Sequence, residues 1–159
     1  MERFISKLNV GLLYIAQAVL IIMVFLVTAD VLGRWIFKQP ITGAVELTEL
    51  GLSMVIFLSI GYTHLKEEHI SIDFLIERLP SKAQRLVDVL INIIIMVVMV
   101  LMALSLFWYS ERLLISGTVT GDLGLPIYLF AAVSGIGAIV FALTALMLAI
   151  KYFARVGEK

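Results

Sequence analysis

The chain contains no cysteine among its 159 residues, so it has no disulfide framework, no thiol chemistry and no cysteine-ligated metal. Histidine is almost as scarce. The two present, His64 and His69, lie near the end of an apolar run rather than inside one, whereas a four-helix cytochrome needs axial ligands within its spans. Charge is thin as well: Asp, Glu, Lys and Arg make up 15% of the chain, against roughly 25% in a soluble domain. The formal net charge is zero, which removes any global pull toward nucleic acid. No HExxH pattern and no phosphate-binding glycine loop occurs. Ser53, Ser59, Ser105 and Ser134 fall within apolar runs, but no His or Lys base sits at a comparable depth to activate them. Catalysis, a cofactor and a bound metal are therefore not expected.

What the chain has in excess is apolar surface: 62% of residues are hydrophobic and the mean hydropathy is +1.08. A soluble domain holds about 45–50%, so the natural solvent is the bilayer. The stretch Leu8–Ala29 is 22 residues without a charge. At about 1.5 Å per residue it is about 33 Å long, enough to cross a hydrocarbon core of about 30 Å. It exceeds the about 7–15 residues of a signal-peptide core and reads as a retained span. Val89–Ser110 gives a second run of 22, with Trp108 and Tyr109 as an interfacial anchor. A fourth segment begins near Pro126, a residue suited to a first helical turn. Its Ala131-Ala132 and Gly135-Ile136-Gly137 form a small-residue face for close packing. The expected architecture is one all-α integral membrane domain over 1–159, with spans near 8–37, 45–65, 87–110 and 125–151 arranged as two hairpins.

The second span is short of apolar residues. Leu50–Leu65 has only 16 before a charge, so the helix must begin near Val45, which draws Glu46 and Glu49 to the hydrocarbon edge. Charge there is costly unless paired or wetted. Asp30 and Arg34 lie one turn apart at the end of the first span, and Arg34 and Lys38 are the nearest cations across the turn. Two readings follow. One is an interfacial ion-pair cluster that pins the hairpin; the other is a docking surface for a partner protein that uses the same charges. A proton or ion relay is the weakest reading, because no acid sits at mid-membrane. Arg112 belongs to the second loop on the same side, with Glu111, Gly117, Gly121, Asp122 and Gly124 marking the turn.

Between spans two and three lies the one long polar interruption, Lys66 to Arg85. Ile72, Leu75, Ile76 and Leu79 repeat at helical spacing, which predicts an amphipathic interfacial helix over about 70–79 in the headgroup plane. His69 and Asp73 are one turn apart on it, as a solvated pair or, less naturally, a metal pair. Leu79-Pro80 stops this helix, and Ser81-x-x-Gln84 has the form of a capping box for the next. Nine basic residues fall on the side of the termini and linker, three on the other (Arg34, Lys38, Arg112). The positive-inside rule then places both termini in the cytoplasm.

The set Asp30-Val31-x-x-Arg34, Glu46-Leu47-x-Glu49, His69-Ile70-Ser71-Ile72-Asp73 and Leu79-Pro80 resembles the Q-type small membrane subunit of tripartite ATP-independent periplasmic (TRAP) transporters. The resemblance covers essentially the whole chain. It implies a bacterial inner-membrane complex driven by a sodium gradient that takes up an organic acid such as a C4-dicarboxylate, a keto acid or sialic acid. In such a complex a large multispan M-type subunit holds the substrate and sodium sites and moves as an elevator, while a periplasmic P-type protein delivers substrate. The small subunit scaffolds the large one, helps dock the binding protein and is bathed by membrane lipid. Two other classes stay open: a small autonomous four-helix exporter, which should carry an acid inside its first span, and an accessory or anchor subunit of another membrane complex.

Overall fold

A computed structural model describes residues 2–66 and 81–156 of the chain. It consists of four helices: α1 (Glu2–Phe37), α2 (Ala44–Leu65), α3 (Ser81–Ser116) and α4 (Ile127–Val156). All four are long and apolar enough to cross a membrane, as their uncharged runs require. The expected interfacial helix, with His69 and Asp73, lies outside the described residues.

Backbone geometry sets the helix ends. Beyond Phe37, Lys38 is left-handed (φ 57), which breaks the helical hydrogen-bond ladder ahead of Pro40. Gly43 (φ 79) then precedes α2. Helix α3 overruns its expected 87–110 bounds at both ends. Glu111 and Arg112 do not mark the turn; they lie on the helix, since charge alone does not stop a helix. The stop is Gly117 (φ 63). Its N–H bonds to the Leu114 carbonyl at 3.3 Å, and the Thr118 N–H to that of Leu113 at 3.1 Å, the paired bonds of a Schellman motif.

Helix α4 is the centre. It packs against α3 on one side and α2 on the other, and also reaches α1, which pairs with α2. In its most apolar stretch 67% is buried, against 11% for α1 and for α3. Small residues allow this. Ala138 and Ala145 are fully buried, and a Cβ on Gly137 would lie 2.7 Å from the carbonyl carbon of Phe57 in α2. Gly135 faces the Phe107 ring of α3, where a Cβ would meet it at 3.1 Å. Without a hydrophobic force between helices in lipid, such backbone-to-backbone contact is what associates them.

Gly137→Ala should therefore force α4 away from α2 and cost about 1–3 kcal/mol. Gly11→Ala, where an added Cβ meets nothing within 4 Å, should instead stabilise by up to about 1 kcal/mol through helix propensity. Thermal unfolding of the two variants in the same detergent should move in opposite directions.

Candidate functional site: the polar corner at the loop end

The α1–α2 turn and the α3–α4 loop share one end of the molecule, opposite both termini. At this end Asp30 is buried in the last two turns of α1. Its Oδ2 takes the Arg34 guanidinium at 2.5 Å, and its Oδ1 accepts the Ile41 N–H at 2.7 Å. One carboxylate thus neutralises a neighbouring cation and holds down the turn that leaves α1. Arg34 remains 53% exposed. With Val31, Trp35 and Lys38 this pair lines an open depression of about 460 Å³.

Glu46 does something the sequence did not indicate. It does not pair with Arg34 or Lys38 across the turn. Its Oε1 accepts the Asp122 N–H at 2.6 Å and its Oε2 the Leu123 N–H at 3.1 Å. Two successive backbone donors in a turn make a cradle for an anion, and the first turn of α2 aims the carboxylate into it. The loop is built to present those donors. Thr120 N–H bonds to the Leu125 carbonyl, Gly124 N–H to the Thr120 carbonyl, and Leu125 N–H to the Thr120 hydroxyl. A bridge between Val119 and Pro126 closes its base. The Leu123 side chain fills the space beside Gly43 that a Cβ would occupy. The ion-pair cluster foreseen across the hairpin is thus two separate devices, Asp30 with Arg34 and Glu46 with the far loop. Among the described residues, Lys38, Glu49 and Arg112 make no ion pair and are exposed.

The opposite end carries polar pairs that sequence reasoning passed over. Asn9 of α1 donates to the Thr144 hydroxyl of α4 at 2.8 Å and to the Ile5 carbonyl at 2.9 Å. Its amide oxygen lies against Gly61 of α2, where a Cβ would overlap it. His64 of α2 meets Asn92 of α3 through Nε2 and Oδ1 at 2.9 Å. Because the Asn92 amide nitrogen donates to the Asp88 carbonyl, its oxygen is the acceptor and His64 the donor. The His64 ring also stands edge-on to Phe141 of α4, with centroids 5.0 Å apart. The signal was present in the two asparagines that interrupt apolar runs, a residue type that serves as interhelical glue in membranes.

Among the described residues no group of three or more His, Asp or Glu converges as a metal site would require. The cleft between α3 and α4, lined by Met96, Ala103, Phe107 and Ala142, is wholly apolar in its side chains.

Residues 23–155 match the family described as Tripartite ATP-independent periplasmic transporters, DctQ component. The chain is also 29% identical, over 96 residues, to the sialic acid TRAP transporter permease protein SiaT of Haemophilus influenzae (strain 86-028NP). That match takes in 60% of this chain and 15% of that much longer protein.

Glu46→Gln and Glu46→Ala should speed amide hydrogen exchange at Asp122 and Leu123 several-fold. Exchange at Gly117 and Thr118, whose donors bond to α3 carbonyls, should not change. Equal effects at all four amides would mean that Glu46 does not hold the loop.

Proposed function

The chain belongs to the DctQ component family of tripartite ATP-independent periplasmic transporters, and on that premise we propose that it is the scaffold on which a larger transport subunit is mounted. The observation that carries this is the unequal burial of the helices. Helix α4 is spent on internal packing, while α1 and α3 leave most of their apolar faces uncovered. Those faces fit a multispan M-type partner on one side and lipid on the other. The transport chemistry, with its substrate and sodium sites, then resides in the partner. Among the described residues, the buried side chains of Asn9, Asp30, His64, Asn92, Ser110 and Thr144 are engaged in the chain's own hydrogen bonds, and no charge lies at mid-span for an ion to follow.

The loop end is the docking face for the periplasmic substrate-binding protein. Arg34, Lys38, Glu49 and Arg112 are exposed there, on a corner held by Asp30 and Glu46. With the nine-to-three distribution of basic residues, that end faces the periplasm and both termini the cytoplasm of a bacterial inner membrane. The cargo is an organic acid driven in by a sodium gradient. The similarity to a sialic acid permease makes sialic acids one class to test, beside dicarboxylates and keto acids.

The direct test is purification of the tagged chain from its native membrane in mild detergent, with mass spectrometry of what accompanies it. A larger multispan permease near one-to-one is expected; recovery of the chain alone, with proton-driven transport after reconstitution, would mark it as an autonomous exporter. In the assembled system, Lys38→Glu with Arg112→Glu, neither of which makes an ion pair among the described residues, should lower uptake about ten-fold or more, since like charges juxtaposed at an interface cost several kcal/mol. The amount of complex in the membrane should be unchanged.

A further inference from the structure

At the terminal end three cations from three different helices converge on one cleft. Arg3 of α1, Lys66 at the end of α2 and Lys151 of α4 line it, and its volume is about 400 Å³. Glu2 is the single acid among its lining residues. None of the three cations makes an ion pair among the described residues. The Lys66 ammonium instead lies 5.7 Å from the centre of the Tyr62 ring, and Tyr62 lines the same cleft. The rest of the lining is Ser6 with the apolar Val10 and Leu65. The lining therefore combines a net positive charge with an apolar wall.

We propose that this cleft is a site for one anionic phospholipid of the leaflet nearest the termini, with its phosphodiester among Arg3, Lys66 and Lys151 and an acyl chain running down past Val10 and Leu65. Three cations against the single acid Glu2 leave the opening with net positive charge, and an anion between them offsets it. Basic pockets between spanning helices have the right character for acidic headgroups. A soluble phosphate would satisfy the cations and leave the apolar wall unused, whereas a lipid satisfies both. Bound there, the lipid touches α1, α2 and α4 together and closes the terminal end much as Glu46 closes the loop end. The site depends only on the chain spanning a membrane, not on what docks at the other end.

Native mass spectrometry of the full chain in a neutral detergent, titrated with dioleoylphosphatidylglycerol or dioleoylphosphatidylcholine, tests it. The anionic lipid should bind at least about ten-fold more tightly. Lys66→Gln and Lys151→Gln should each weaken it about five-fold, the effect of about one charge contact, with Lys66→Arg restoring it. Lys7→Gln, exposed on α1 but outside the cleft, should leave it unchanged. Equal affinity for the two lipids, an equal loss in Lys7→Gln, or displacement of the lipid by inorganic phosphate would each overturn the proposal. Unchanged phosphatidylcholine binding and unfolding temperature identify the variants that have kept their fold.

Discussion

Hydrocarbon offers a polar group no partner, and the rest of the structure follows from that constraint. Backbone groups are satisfied by four long helices. Most polar side chains that enter the packed interior are paired, and the pairs sit near the two ends. Asn9 reaches Thr144, and His64 reaches Asn92, at the terminal end. Asp30 and Glu46 accept backbone N–H groups from two different loops at the other. Between these ends association rests on contact alone, through the glycines and alanines of α4 against α2 and α3.

The consequence is a molecule closed at both ends and plain in the middle. A transport pathway needs a charged or broken segment at mid-depth, whereas here the helices are unbroken and the mid-depth hydroxyls of Ser53 and Ser59 bond back to carbonyls of their own helix. The bare faces of α1 and α3 are where such a chain meets its surroundings. The scaffold role proposed for this chain calls for a stiff interior and a broad apolar outside, and the packing order is consistent with both.

The four spans were legible because run length against bilayer thickness is a strong signal, and the small-residue face of α4 was legible from Gly135 and Gly137. Helix ends were less so. Glu111 and Arg112 looked like loop because charge was read as exit from the membrane, yet the backbone stops only where Gly117 permits a left-handed turn. The partner of Glu46 was not legible at all. Sequence proximity favoured Arg34 and Lys38, but the acceptor's partners are backbone amides some seventy-six residues away, which leave no mark on residue identity. Asn9 and Asn92 were visible but silent, since an amide in an apolar run does not say which helix it faces.

The loop end is a single fixed corner, held by Glu46 across the two hairpins. Because the chain has no cysteine, nitroxides can be placed cleanly at Ile41 in the α1–α2 turn and Val119 in the α3–α4 loop, both exposed. Pulsed electron–electron resonance should give one narrow distance distribution, the same in the isolated chain and in native membranes, and broadened by Glu46→Ala. A wild-type distribution already as broad as that of Glu46→Ala, or one that shifts between the two settings, would contradict a fixed corner.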